Sequence, residues 1–217
     1  MSVAAHLGID LSQYDARIAT FIPYYHAMIQ VGAAALPPST RTVLDLGVGT
    51  GALAAACLAR VPRARIVGLD EDADVMKLAA TRLGAKATFI NGSFHRATLP
   101  RCDAAVASFA LHHIRTRGAK AALYRRVHAA LRPRGVLITV DCQPALDRGL
   151  RRTQFDRWLE HLRGAYSPAE SRRLFRSWAD EDVYVPLDVE LDLLRGAGFR
   201  TEILWRHDAF AVIRSAR

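Results

Sequence analysis

Apolar and polar positions along this chain alternate between two kinds of segment. Short apolar runs bounded by glycine or polar residues predict buried strands at 42–46, 65–70, 87–91, 103–108 and 135–141. Segments with apolar residues every three or four positions predict helices at 51–60, 72–83 and 117–131. Strands that alternate with helices predict a parallel sheet covered by helices on both faces.

Two segments depart from this alternation. Residues 12–35 have helical spacing and stop at Pro37-Pro38, so we expect residues 1–38 to form a helical cap. Residues 143–186 predict a helical insert after the fifth strand, because apolar residues recur there at helical spacing. Those residues are Leu146, Leu150, Trp158, Leu159 and Leu162. The insert is either a lid over the active site or a helix pair that packs and supports a homodimer.

The second helix of the insert has a clear start signal. Ser167-Pro168-Ala169-Glu170 is a capping box with proline at the first helical position. Further along, residues 187–195 predict a last helix, and 201–205 with 209–213 predict a terminal hairpin. The complete pattern predicts an α/β, Rossmann-like, seven-stranded mixed sheet whose last strand is antiparallel.

Length and composition restrict the class of protein. The chain has 217 residues and 51% apolar residues, which suits one folded domain over residues 1–217. No apolar run approaches the ~20 residues that span a bilayer, and residues 1–10 lack the pattern of a secretory leader. We therefore expect a cytoplasmic protein that does not contact membranes.

Three cysteines are expected to be buried core residues. Cys57, Cys102 and Cys142 stand alone and lack the spacing of metal ligands. Each falls in or beside a predicted core element, where a thiol packs as a small apolar group. The sequence therefore predicts no metal site.

The positive charge is concentrated in one part of the chain. The net charge is +9, and residues 115–176 contain 15 Lys and Arg against five Asp and Glu. Such a stretch can attract RNA. It is also compatible with a solvated helical surface, because Arg outnumbers Lys 27 to 3 throughout the chain. Both interpretations stay open.

The strongest chemical signal lies between Val43 and Gly51. The first apolar run ends in Asp45, and Gly47, Gly49 and Gly51 then form a turn tight enough for a ligand to touch the backbone. The helix that follows presents its positive N-terminal end to the same ligand. The second apolar run ends in Asp70, where a carboxylate can bind ribose hydroxyls. Together these features predict a nucleoside-binding βαβ unit.

Two cofactors fit this unit. Gly47-x-Gly49-x-x-Ala52 also satisfies the dinucleotide fingerprint, so an NAD(P)-dependent oxidoreductase is one alternative. However, Asp45 would repel a nearby pyrophosphate, whereas it suits the ammonium group of an amino acid. S-adenosylmethionine (SAM) has an amino-acid end and no phosphate. A second alternative is a module that binds SAM or RNA without catalysis.

At this point the chain resembles the class I SAM-dependent methyltransferases over roughly residues 40–142. The matching segments are Leu44 to Gly51, Ile66 to Asp70, Cys102 to Ser108 with Leu111-His112-His113, and Leu131 to Ile138. A weaker similarity, at Phe21 to Tyr25 and Ala197 to Phe210, points to the group that includes carboxy-SAM synthase. Carboxy-SAM therefore stays open as the bound form, although no match to that group's carboxylate-binding arginine is found.

The resemblance implies roles for particular residues. Asp45 and the glycine turn would hold the methionine end of SAM, Asp70 the ribose, and Tyr25 would fold over the methionine end. Ser93 and Phe94 would border adenine, although the acid usual in that motif is replaced in Asn91-Gly92-Ser93-Phe94. Ser108 would lie in the same crevice. The product would be S-adenosylhomocysteine (SAH).

Catalysis of methyl transfer requires little from the protein. SAM carries an activated methyl group, so the protein mainly aligns a nucleophile and excludes water. His112 and His113 are candidate bases that also suit a structural turn, and Asp141 is a candidate base, substrate ligand or helix cap. Weak candidates for acceptor contacts are Arg17, Trp158, Tyr166 and Arg206. We expect methyl transfer to an O, N or C nucleophile, with a small metabolite favoured over RNA as the acceptor.

Overall fold

The structure, a computed structural model, describes residues 13–217. The expectation about a secretory leader in residues 1–10 lies outside the described residues. The same holds for the first part of the predicted cap.

One seven-stranded sheet forms the centre of the protein, in the order β3-β2-β1-β4-β5-β7-β6. The strands are β1 Thr42–Leu46, β2 Arg65–Asp70, β3 Ala87–Asn91, β4 Cys102–Ser108, β5 Leu131–Cys142, β6 Arg200–His207 and β7 Phe210–Ala216. β7 runs antiparallel to both β5 and β6, and β1 to β5 pair in parallel. This confirms the predicted mixed sheet.

Helices cover both faces of the sheet, as predicted. They are α1 Tyr14–Phe21, α2 Tyr25–Ala34, α3 Ala52–Arg60, α4 Ala73–Leu83, α5 Arg117–Ala130, α6 Arg148–Arg163, α7 Pro168–Glu181 and α8 Leu187–Gly196. In β4, Ala104 and Val106 belong to one buried cluster, and Ala105 and Ala107 belong to the other. The period of two in the strand therefore supplies apolar side chains to both helical layers.

Most predicted boundaries agree with the structure within a residue or two, and two differ more. β5 begins at Leu131, before the Pro133 turn, because Leu131 already pairs with Cys102 ahead of a register shift in β4. β6 and β7 are longer than the predicted hairpin, since their pairing extends from Arg200 to the turn at Asp208, where φ is 48°. All three cysteines are buried, as predicted.

The predicted insert after β5 is present as the helix pair α6 and α7. Ser167 and Glu170 form the predicted capping box at the start of α7. Two of the apolar residues that gave the helical spacing, Leu146 and Leu150, are 54% and 51% exposed. Leu146 precedes α6, and the buried face of that helix begins only at Gln154.

The N-terminal helix and the insert are joined through side chains that donate to backbone carbonyls. The Trp158 indole N–H donates to the Phe21 carbonyl at 2.7 Å, and the His161 ring bonds the Ala19 carbonyl at 3.0 Å. We call α1, α6 and α7 together the roof. Among residues 13–217, no helix combines the length and apolar character needed to cross a bilayer.

A buried ion pair fixes α5 to α8 behind the sheet. Lys120 Nζ lies 2.8 Å from Glu190 Oε2, and both side chains are nearly inaccessible. The Tyr124 hydroxyl donates to the same carboxylate. Removal of one charge would leave the other buried and uncompensated, which costs more than replacement of the whole pair.

We therefore expect Lys120→Met to lower the free energy of unfolding by about 3–5 kcal/mol. Lys120→Met combined with Glu190→Leu should recover most of that loss, although the Tyr124 hydroxyl then lacks its acceptor. Urea unfolding followed by circular dichroism measures both variants. Equal destabilisation in the single and double variants would show that the charge itself is not the cause.

Candidate active site

A cavity of about 370 Å³ opens at the carboxyl ends of β1, β2 and β4. Its lining comes from the turns after these strands, from the N-terminal helices and from the insert. Ligands of open α/β sheets bind at this edge, and the volume lies in the range of small-molecule sites. The cavity is therefore the candidate site.

The glycine turn after β1 forms one wall of the cavity. Gly47 has φ +75°, and a Cβ there would lie only 2.4 Å from the Ala110 side chain. Gly47 and Gly49 line the cavity, as expected. Gly51 does not: a Cβ there would meet Ala79 of α4 at 3.3 Å, so Gly51 serves helix packing and not ligand contact.

Asp70 ends β2 and lines the cavity. Its carboxylate accepts the N–H of Gly49 at 2.9 Å and the N–H of Asp72 at 3.0 Å, which fix its orientation. Burial nevertheless raises the pKa of Asp70, against the effect of these donors. A carboxylate oxygen can accept more than one hydrogen, so Asp70 can also bind ligand hydroxyls.

Asp45 is a buried carboxylate beneath the glycine turn. Its exposure is 1%, and neither oxygen has a hydrogen-bond partner within the described part of the chain. Burial, with the charge of Asp70 adding to it, raises the pKa of Asp45 well above its usual range. Asp45 was expected in the crevice but is not one of the cavity-lining residues. Such an uncompensated group fits a nearby cation.

The remaining cofactor candidates line the cavity as expected. Ser93 and Phe94 follow β3, and the Ser93 hydroxyl accepts the N–H of His95 at 3.3 Å. Ser108 ends β4 on another side of the same space. Tyr25 approaches from α2, where its ring lies 5.7 Å from the ring of Phe109.

A polar clasp ties α1 to the glycine turn. The Thr50 hydroxyl donates to Asp15 of α1 at 2.8 Å. Arg82 of α4 donates to the Thr50 carbonyl at 2.7 Å and pairs with Asp15. The clasp holds the N-terminal helix over the turn.

The opposite side of the cavity is formed by His112, His113 and Asp182, which we call the polar end. His112 Nδ1 lies 2.6 Å from Asp141 Oδ1, and its Nε2 lies 3.7 Å from Asp182 Oδ1. His113 Nδ1 lies 3.1 Å from the same Asp182 oxygen. All three residues of the polar end line the cavity, and both histidines were candidates from the sequence.

The expectation that Asp141 lies in the crevice is wrong. Asp141 is buried behind His112 and does not line the cavity, so it cannot contact an acceptor directly. It also does not cap the insert, because the N-cap of α6 is Asp147. Instead, Asp141 fixes the His112 ring and accepts the N–H of Cys142 at 2.8 Å.

Burial and paired charges set the ionisation of the polar end. Burial lowers the pKa of His112, but the charges of Asp141 and Asp182 outweigh it, so the net pKa is raised. Burial raises the pKa of Asp141, but His112 and Lys120 hold it below its usual range. Burial opposes ionisation of Asp182, yet His113 and His112 bring its pKa to about 2. Ionised carboxylates therefore flank both imidazoles.

Aromatic side chains form the wall between the glycine turn and the polar end. They come mainly from the roof and the segment after it: Phe21, Trp158, Trp178 and Tyr184. Trp178 is 3% exposed, and its indole N–H has no hydrogen-bond partner within residues 13–217. The cavity thus offers flat apolar surfaces.

Of the four weak acceptor candidates, only Trp158 lines the cavity. Arg17 stacks over Phe21 at 5.4 Å and donates to the Tyr166 hydroxyl at 3.1 Å, which places both residues in the packing of the roof. Arg206 is exposed on β6 and away from the cavity lining. The sequence missed Asp182 and Trp178, because no motif marks the end of α7.

Comparison with known proteins supports the interpretation of this site. Residues 43–135 match a family model described as a methyltransferase domain. An uncharacterized methyltransferase of Mycobacterium tuberculosis is 36% identical over 132 residues, which is 58% of this chain and 62% of that protein. The chain thus spans less than two thirds of that relative.

Two further proteins match over more of the chain. Carboxy-S-adenosyl-L-methionine synthase of Wolinella succinogenes is 26% identical over 211 residues, covering 91% of this chain and 87% of that protein. Human N-acetylserotonin methyltransferase, solved in complex with SAM, has the same fold, with a TM-score of 0.64 and 20% identity. That match covers all of this chain and 60% of the human protein.

The sheet order and the glycine turn are those of an α/β fold whose ligands bind at the carboxyl ends of the strands. Over residues 43–135 the chain is similar to a methyltransferase domain, and its fold is that of the human methyltransferase solved with SAM. The comparisons do not support the dinucleotide alternative considered from Gly47-x-Gly49-x-x-Ala52, since the matching model is a methyltransferase domain and the named relatives are two methyltransferases and a carboxy-SAM synthase.

Asp45→Asn should raise the stability of the protein without cofactor. A buried carboxylate without a partner costs more than a neutral amide of the same shape, by about 1–3 kcal/mol. Burial raises the folded pKa of Asp45, so the wild-type penalty is present at neutral pH, shrinks as the pH falls below the folded pKa and is lost near the unfolded pKa. Thermal unfolding of the wild type and of Asp45→Asn, at about pH 7.5 and about pH 5, measures the difference in stability. A variant less stable than the wild type at neutral pH would contradict it.

Proposed function

We propose that the protein transfers a methyl group from SAM to an O–H or N–H group of a small planar acceptor. One observation carries this proposal: a single cavity connects the glycine turn and Asp70 to an aromatic wall and to the polar end. A methyltransferase must hold cofactor and acceptor in one enclosed space, aligned for in-line transfer.

The residues at the sheet edge suit SAM. The ammonium group would lie at the glycine turn, above the buried Asp45 carboxylate whose negative charge attracts it, and the ribose hydroxyls would donate to Asp70. Backbone at Gly47 and Gly49 leaves room for the methionine end, while Ser93 and Phe94 would border the adenine. SAM supplies an electrophilic methyl group on its sulfonium.

The aromatic wall favours a small planar acceptor over RNA. Trp158, Trp178 and Tyr184 offer flat faces that suit an aromatic ring. The Trp178 N–H has no partner within residues 13–217, and a carbonyl or ring nitrogen of the substrate would become its acceptor once the indole turns toward the cavity. The roof encloses this space. In contrast, most of the positively charged side chains in the arginine-rich stretch 115–176 are exposed to solvent.

The reacting group of the acceptor would lie at the polar end. A lone pair of its oxygen or nitrogen forms the new bond to the methyl carbon, and the carbon–sulfur bond breaks with its electron pair returning to sulfur. The products are the methylated acceptor and SAH, and the acceptor's proton leaves toward His112 or solvent. Asp141 would act as a positioning residue because it holds the His112 ring.

Asp70→Ala should weaken SAH binding by about 1–3 kcal/mol, because the ribose hydroxyls lose a charged acceptor. Isothermal titration calorimetry with SAH measures the change. Asp74→Ala, on the exposed face of α4, is the matched control and should bind like the wild type. An unchanged affinity of Asp70→Ala would refute the ribose assignment.

Trp178→Phe should raise KM for a planar phenolic acceptor about 5–10-fold with little change in kcat. The expected loss corresponds to one hydrogen bond of about 1–1.5 kcal/mol in acceptor binding. The measurement is transfer from methyl-labelled SAM to a panel of planar phenols, heteroaromatic amines and total RNA, followed by mass spectrometry of the product. Labelled RNA with unlabelled small molecules would overturn the acceptor class.

The same assay separates the alternatives. A protein that binds SAH but transfers no label to any fraction would be a non-catalytic SAM-binding module. Native mass spectrometry of the ligand that co-purifies distinguishes SAM and SAH from a cofactor heavier by one carboxylate. A carboxylated cofactor would move the protein toward the carboxy-SAM synthase group.

A further inference from the structure

The polar end contains a potential set of metal ligands. One donor atom from each of His112, His113 and Asp182 lies within 4.8 Å of the others. Asp182 Oδ1 is 3.1 Å from His113 Nδ1 and 3.7 Å from His112 Nε2. Zinc ligands lie about 2.0–2.2 Å from the ion, so donor atoms in a zinc site are about 3–4 Å apart. The three side chains thus need only small adjustments to share one ion.

Outer contacts already orient two of these side chains. Asp141 holds His112 through Nδ1 at 2.6 Å, which directs Nε2 toward Asp182. The Tyr184 hydroxyl donates to Asp182 Oδ2 at 2.5 Å, while Oδ1 faces the histidines. A carboxylate behind a ligating histidine and a hydrogen bond to a ligating carboxylate are the usual outer contacts of protein metal sites.

We propose that His112, His113 and Asp182 bind one divalent transition-metal ion of the zinc type. Two imidazoles and one carboxylate suit zinc and its neighbours, whereas Mg²⁺ and Ca²⁺ prefer oxygen ligands. Three protein ligands leave a position open in a tetrahedral site. That position faces the cavity, because all three residues line it.

The local charges are compatible with a cation. Asp182 and Asp141 supply two negative charges beside the two imidazoles, and Lys120 behind them is compensated by Glu190. Arg115 also lines the cavity and opposes a cation there. The ion would lie between His113 Nδ1 and Asp182 Oδ1, which are now 3.1 Å apart, and because ligands bind metal in their deprotonated form, its affinity should fall at low pH.

The catalytic consequence rests on the proposed function, whereas binding of the ion does not. An acceptor hydroxyl at the open position would be polarised and would lose its proton to solvent more readily. Its oxygen lone pair then forms the bond to the methyl carbon, and sulfur keeps the electron pair of the broken bond. A metal ion held by His112, His113 and Asp182 would therefore favour methyl transfer to hydroxyl groups over transfer to amines.

The test is a titration of the full chain, freed of metal by a chelator, with Co²⁺ and Zn²⁺. Co²⁺ should produce visible absorption bands of a low-coordinate site at one ion per chain, and Zn²⁺ should displace it. Asp182→Asn and His113→Ala should each weaken binding at least about 10-fold, and Asp141→Asn about 10–100-fold. His95→Ala, which removes a cavity-lining histidine outside the set, should bind like the wild type.

His113 is the safest ligand to replace, because its side chain is 44% exposed and the fold does not depend on its burial. Circular dichroism of each variant establishes that the chain is folded. Absence of Co²⁺ bands from the folded wild type, or equal Co²⁺ affinity in wild type, Asp182→Asn and His113→Ala, would overturn the site.

Calorimetry with SAH and the labelled-methyl assay on chelated and Zn²⁺-loaded protein keep the two proposals separate. Full transfer by chelated protein would overturn the catalytic consequence while the proposed function stands. Ion binding that depends on Asp182, in a protein that does not bind SAH, would support the metal site and remove the proposed function.

Discussion

The turns after β1 and β4 pass very close to each other, and this contact fixes the position of the candidate site. The backbone after β1 runs so near Ala110, after β4, that no side chain fits at Gly47. β1 and β4 are hydrogen-bonded neighbours at the centre of the sheet, where the order of strands reverses direction. The crevice at such a reversal is the ligand site of open α/β sheets. Because the two turns meet there, Asp70 of β2 and the histidines after β4 line one space, and Asp45 of β1 lies buried beneath its glycine wall.

Burial of charge is the recurring energetic feature around that space. Asp45 is unpaired under the turn, whereas Asp141 is compensated by His112 and lies near Lys120. Lys120 is in turn paired with Glu190 on the far helical layer. The charged groups thus continue from the cavity through the edge of the sheet to α8. Asp45, whose carboxylate has no partner among the described residues, lies where a cofactor would bind. The paired charged groups lie behind it.

Local patterns were enough to place one wall of the cavity. Gly47, Gly49 and Asp70 follow directly from strand, turn and strand, since their neighbours in sequence are also their neighbours in space. The fold was equally accessible, because the alternation of strands and helices follows from apolar spacing and the terminal hairpin sets β6 and β7 antiparallel to each other. Gly51 shows the limit of such reasoning, since the same motif contains a glycine required for packing on Ala79.

The second half of the site depends on contacts that no local pattern encodes. Asp141 was placed at the correct strand end, but its position behind His112 depends on the turn after β4. Asp182 and Trp178 reach the cavity only because the insert folds back across the sheet edge. Helical spacing predicts that α7 exists but does not specify which of its residues meet another element.

Two of the hydrogen bonds that close the roof are made to backbone carbonyls. Trp158 and His161 bond the carbonyls of Phe21 and Ala19, and these carbonyls are present whatever residues occupy positions 19 and 21. These two bonds are thus independent of the side chains at positions 19 and 21, whereas the Phe21 ring also packs on Tyr166 and Trp178. Variation of the cavity wall is therefore confined to positions outside this ring packing. The insert is anchored twice, once by backbone recognition and once by aromatic contact.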